Sequence, residues 1–394
     1  MATSCLRSAF FIALLSSQVL GQQSPSLGDL ARQTRAEKQQ AHPAVTQSNP
    51  QFLELGPATG PDALAIRNQS EADQYLKNVR ELLHQEQFDE LDRIAGTDRT
   101  SKARFGGGGW KLNTLYTGLA SPLQESASEA DWDAHLSRLR IWMAKKPESI
   151  TARIALAASY TSYAWKARGT DLADKVSDGS WEVFQARLEQ AQTILDNAAR
   201  LKEKCPHWYK VMQTVALGQG WDRDQADELF KKAVAFEPSY SYYYRAYAYY
   251  LLPKWYGEEG ETERFADAIS KKVGGQEGSI IYFDIAVELI CDCRNEVGLD
   301  TMSWPRIQEG YIATEKHYGP SSLKLNQMAY IAVQMGDADV AQKAFQRIGD
   351  DWSRTIWKTE AHFVQSKSWA GAAAKSSRVS NTAAHPSEAS AKSQ

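Results

Sequence analysis

The sequence predicts an all-α fold, an array of antiparallel helical hairpins (an α-solenoid). Three observations lead there. Apolar residues recur at i, i+3, i+4 and i+7 in segment after segment, the mark of one buried helix face. The segments are short and bounded by Pro, Gly, Asp and Ser at the places where helices start and stop. Alternating Val/Ile/Thr runs, the mark of half-buried strands, are almost absent.

The clearest hairpin runs from Cys205 to Pro238. Pro206 suits a first helical position, where its missing N–H costs nothing. Trp208, Val211, Met212 and Val215 then form one stripe, and Gly218 and Gly220 stop the helix. Asp222 with Gln225 makes a capping box for the second helix. Its stripe is Ala226, Leu229, Phe230 and Ala233, and Pro238 ends it.

The remaining segments follow in order. Ser70 caps a helix with Tyr75, Leu76, Val79, Leu82 and Leu83; Gln85 to Gln87 turn into a second with Phe88, Leu91 and Ile94. Gly106 to Gly109 lack the Gly-Lys-Ser/Thr of a phosphate loop and read as a flexible loop. A helix with Leu112, Leu115, Tyr116 and Leu119 follows, paired with one carrying Leu136, Leu139, Trp142 and Met143. Ile150 to Arg168 pairs with Trp181 to Leu201 across an overlong loop. Beyond the central hairpin come Tyr240–Leu252, Glu261–Val273, a helix around Ile281 to Ile290 and another from Trp304 to Gly319. Leu323–Met335 and Ala338–Ile348 close the series, with Gly336-Asp337 as their turn.

The 394 residues carry a formal net charge of −3, without the basic footprint of a nucleic-acid binder. Arg7 followed by the apolar run Ala9–Leu20, with Val19 and Gly21 small, predicts a signal peptide over 1–21, cut before Gln22. The run is shorter than the about 20 residues a membrane span needs, so no stable span is expected after its removal. Residues 22–69 are rich in Gln, Ser, Pro and Ala and read as a disordered linker. Residues 366–394, rich in Ala and Ser without apolar period, read as a disordered tail. Export leaves Cys205, Cys291 and Cys293, an odd number, so at least one thiol has no partner within the chain. Cys205 reads as a buried apolar cysteine. No cofactor or metal motif is expected: Cys205-Pro206-His207 lacks a second ligand pair.

Two resemblances follow from these residues. Ala226-x3-Phe230 closed by Pro238, repeated as Ala341-x3-Phe345, resembles the second half of a tetratricopeptide repeat. Ser101-Lys102-x-Arg104 with Trp110-Lys111-Leu112, Cys205-Pro206-His207-Trp208-Tyr209, Ala216 to Trp221, and Tyr249 to Gly257 resemble the bacterial family called domain of unknown function 4034. That resemblance implies a family core of helical hairpins over 70–275, with further repeats over 276–365. It leaves the activity blank.

Function is expected from the aromatic helix at Tyr240–Leu252. Tyr240, Tyr243, Tyr247 and Tyr250 form one stripe; Tyr242, Ala246 and Tyr249 form its neighbour. If the second packs inward, the first, with Trp255 and Tyr256, lines a concave groove. If both pack inward, they are core. The expectation is an exported, non-catalytic scaffold that binds a protein, a peptide or an envelope polymer. The alternative is a cell-wall glycan hydrolase or lyase, with Glu258, Glu259 and Glu288 as candidate acids. Paired carboxylates for that chemistry must face each other across one bond.

Overall fold

A computed structural model describes residues 61–124, 126–169, 175–290, 299 and 301–384. The signal peptide, most of the linker, Cys291 and Cys293 lie outside these residues. The described chain is all helical: sixteen α-helices and no strand, with one isolated antiparallel bridge between Arg104 and Trp110.

The helices are α1 (Ala63–His84), α2 (Phe88–Ser101), α3 (Lys111–Leu119), α4 (Glu129–Lys145), α5 (Ile150–Arg168), α6 (Asp178–Ala198), α7 (Pro206–Gln219) and α8 (Arg223–Phe236). They continue as α9 (Tyr242–Tyr250), α10 (Glu261–Val273), α11 (Gly275–Ile290), α12 (Trp304–Tyr318), α13 (Ser322–Gln334), α14 (Ala338–Ile348), α15 (Arg354–Trp357) and α16 (Glu360–Ala384). Local chemistry sets the boundaries the sequence predicts at the central hairpin. Pro206 opens α7, and Gly220 ends it in the left-handed conformation. Asp222 and Gln225 complete their capping box before α8. Ser128 and Asp131 do the same before α4.

Three boundaries differ from expectation. First, α1 begins at Ala63, capped by Asp62, whose carboxylate accepts from Ala65 N at 3.0 Å. Second, the glycine run is a 3-10 turn locked by its neighbours. A Cβ on Gly106 would stand 2.2 Å from Asn68 Nδ2, and one on Gly108, whose φ is +81°, would stand 2.6 Å from the Tyr318 ring. Glycine is there because the backbone must approach that closely. Third, the segment expected to be a disordered tail continues as α16 to Ala384. Phe363, Ser366, Ala370 and Ala374 are buried on one stripe, and α16 packs on α14. Small side chains there serve close approach, which hydrophobicity alone does not register.

The odd-numbered helices from α1 to α13 touch one another in succession, and the even-numbered helices from α2 to α14 pack on that row as a second layer. The succession returns to its start, because α13 packs against α1. Polar contacts fasten the join. Asn68 Nδ2 donates to Pro320 O at 2.6 Å, Asp62 N donates to Arg347 O at 2.7 Å, and Gly107 N donates to Gly319 O at 3.0 Å. The Arg347 guanidinium, 2% exposed, pairs with Asp62 at 2.8 Å and also with Glu315. Removing one member of a buried ion cluster strands the others.

Helix α9 sits at the seam of the core. Tyr240 and Tyr243 belong to the cluster built from the earlier helices, Tyr244 and Ala248 to the later cluster, and Tyr247 and Tyr250 to a small third one. Phe230 on α8 is half buried; its ring stacks on Tyr247 with centroids 4.5 Å apart and meets Tyr244 and Phe265 edge-on.

Arg347→Met is expected to cost about 3 kcal/mol in urea unfolding, because Asp62 and Glu315 keep their charges in a nearly dry site. A loss below about 1 kcal/mol contradicts the join as a structural element. Phe230→Ala is expected to cost about 2 kcal/mol, less than the ~3–5 kcal/mol of a fully buried phenylalanine.

Candidate functional site

The tyrosines of α9, with Tyr240 just before it, divide by face. Tyr240, Tyr243, Tyr247 and Tyr250 are buried, with exposures of 0, 0, 6 and 5%. Each hydroxyl is tied to the preceding hairpin. Tyr240 OH meets His207 Nδ1 at 2.7 Å, Tyr243 donates to Pro206 O at 3.1 Å, Tyr247 to Asp227, and Tyr250 to Trp221 O at 3.0 Å. Burial pushes all four phenols above the ordinary tyrosine range. The expected groove stripe is therefore core, and the correction has a plain cause. Phenols on this face reach backbone carbonyls and a carboxylate of α7 and α8, so burial leaves none of them unsatisfied.

The open face is the other stripe. Tyr242, Arg245, Ala246 and Tyr249, at i, i+3, i+4 and i+7, line a trough of about 440 Å³. On α7, Lys210, Gln213, Thr214 and Leu217 repeat the same spacing and supply the adjacent wall. Asn113 and Thr117 of α3, Trp165 of α5 and Glu288 of α11 complete the lining. Every contributor is an odd-numbered helix, so the trough lies against the inner row.

Its electrostatics are uneven. Arg245 is held by Glu288, with Nε to Oε2 at 2.7 Å. The Lys210 ammonium makes no hydrogen bond or ion pair among the described residues. Burial lowers its pKa; Glu288 opposes the shift and Arg245 adds to it. Gln213 is 8% exposed, donates from Nε2 to Tyr243 O at 3.3 Å, and among the described residues its buried Oε1 has no partner. A buried acceptor left so is costly unless something else supplies a donor.

Tyr242 and Arg245 also line a smaller chamber of about 100 Å³ beyond the trough. There Lys324 pairs with Asp284. Burial alone would raise the Asp284 pKa, but Lys324 and Arg245 outweigh it and hold the carboxyl below its usual range. Arg104 sits between the rings of Trp110 and Tyr318, 4.6 and 4.8 Å from their centroids.

The other expected site residues are scattered. Trp255 is half buried beside Tyr249 and Trp165, with ring centroids 5.9 and 5.7 Å away. Tyr256, 43% exposed, stacks on Tyr250 and lines a separate depression with Glu258, Arg223 and Glu261. Glu259 is exposed. Thus Glu258 and Glu288 line different cavities. Among the described residues no group of three or more His, Cys, Asp or Glu is placed to hold a metal ion, and no helix is long and apolar enough to cross a membrane. Cys205 is buried, 3.5 Å from Tyr116 OH.

Residues 75–218, from α1 to the last turn of α7, match the model of the family described as domain of unknown function (DUF4034). The matched stretch contributes Trp165, Lys210 and Gln213 to the trough; the wall from α9 lies beyond it. No curated protein and no solved structure matches the chain.

Lys254 reaches over the Tyr249 ring at 4.7 Å and donates to its hydroxyl at 3.2 Å. Desolvation, reinforced by Arg168, pulls its pKa down to about 8. Titration of a ¹³C-labelled Lys254 by NMR is expected to show a midpoint near that value. A midpoint above about 10, the ordinary lysine range, contradicts the placement.

Proposed function

We propose that this chain is an exported, non-catalytic binding protein, its hairpins degenerate tetratricopeptide-like repeats, and that the inner trough is its ligand site. One observation carries the reading: α3, α5, α7, α9 and α11 present one continuous lining of aromatic rings and polar groups. In it, among the described residues, the Lys210 ammonium and Gln213 Oε1 make no hydrogen bond or ion pair. Stacked helical hairpins offer such extended surfaces to a protein, a peptide or a polymer. The carboxylates weighed for glycan cleavage support binding over cleavage, since Glu258 and Glu288 line different cavities and Arg245 engages Glu288. The N-terminal segment 1–21, read as a leader, supports export to the periplasm or outside a bacterial cell.

The test is capture of envelope components by the exported form, beside Tyr242→Ala/Tyr249→Ala. Both rings face the trough, so their removal is expected to deplete the partners recovered while the circular dichroism spectrum stays helical. Identical recovery by both proteins counts against the trough as the site. The mass of the exported product is expected to begin at Gln22; retention of residues 1–21 contradicts cleavage.

A further inference from the structure

The lining of the trough has a composition that narrows its ligand. Among the described residues that line it, Leu217 and Ala246 are the only aliphatic side chains. Asn113, Thr117, Gln213 and Thr214 are short hydrogen-bonding groups. Among the described residues the Asn113 side-chain amide makes no hydrogen bond. A peptide gains affinity chiefly by seating apolar anchors in sockets, and two aliphatic side chains make a poor socket. A sugar chain offers the complement: C–H faces for rings and hydroxyls for amides and hydroxyls. Tyr242 and Tyr249 are seven residues apart on one face, about 10.5 Å along the helix axis, which spans roughly two sugar rings.

Charge narrows it further. Among the described residues that line the trough, Lys210 and Arg245 are the cations and Glu288 the one carboxylate, a formal balance of one positive charge. Arg245 has a partner in Glu288, and among the described residues Lys210 has none. Gln213 Oε1, one turn from Lys210, asks for a donor such as a hydroxyl.

Resting on the reading of the trough as a binding site, we infer that it takes a carboxylated glycan. The sugar carboxylate meets Lys210, a neighbouring hydroxyl donates to Gln213, and the sugar faces lie on Tyr242 and Tyr249. The carboxylate supplies the counter-charge that Lys210 lacks among the described residues. Charge-assisted contacts of this kind are the stronger ones in a partly desolvated site.

The experiment is isothermal titration calorimetry of the exported chain with three probes: an oligogalacturonate, its methyl ester and tetraglutamate. The ester keeps the sugar and removes the charge. The acid is expected to bind about tenfold or more tighter than the ester. Lys210→Met is expected to erase that difference, weakening the acid and leaving the ester unchanged. Tyr249→Ala is expected to weaken both. Equal affinities for acid and ester overturn the inference, and so does silence from both glycans. If tetraglutamate alone binds, and Tyr242→Ala/Tyr249→Ala abolishes it, the trough stands as a site and the glycan assignment falls. If captured partners are also indifferent to the two tyrosines, the site itself falls.

Discussion

The Arg347 guanidinium makes the join on which the arrangement of helices depends. It lies on α14, yet it pairs with Asp62, the cap of the first helix, and with Glu315 on α12. One buried cation therefore ties the start of the described chain to α12 and α14. Buried ion pairs contribute little net stability compared with apolar packing of the same volume. What this one supplies is position, since its partners are satisfied in only one arrangement. Around it the Asn68 side-chain amide and the Gly107 and Asp62 backbone N–H groups hold α1 against α13, and a continuous inner row follows.

The aromatic helix α9 does for the middle of the row what Arg347 does for its ends. Its buried phenols reach His207, Pro206, Asp227 and Trp221 on the preceding hairpin, while Tyr244 and Ala248 pack into the following core. A phenylalanine would fill the same volume and leave those acceptors unmet. Because that face is fastened, the opposite face, with Tyr242, Arg245 and Tyr249, is presented at a fixed orientation. Rigid presentation lowers the ordering cost of binding.

Much of the fold was legible in the sequence because helix starts, stops and apolar stripes are local. The Asp222–Gln225 box and the start at Pro206 are set by residues within one turn of each other. The site was legible only in part. Both α9 stripes have the same period and are rich in tyrosine, so the choice between them rests on which acceptors stand opposite, and those come from α7 and α8. The overlooked residues did carry a signal. Lys210, Gln213, Thr214 and Leu217 repeat the spacing of Tyr242, Arg245, Ala246 and Tyr249, a second stripe of mixed polarity beside the apolar one. The return of α13 to α1 had no local trace. It depends on partners such as Asp62 and Arg347, 285 residues apart. Separation along the chain also hides why Gly106 and Gly108 are needed, since the surfaces they approach belong to Asn68, Pro320 and Tyr318.

The packing of α13 against α1 also bears on how such a chain can change over generations. An open stack of helical pairs tolerates gain or loss of a unit at either terminus, because each unit answers only to its neighbours. Here the first and last units are each other's neighbours. Duplicating or deleting a single pair would part Asp62 from Arg347 and wedge a gap between two surfaces made to touch. The number of pairs is thereby frozen, and variation is diverted into loops and into the side chains facing inward.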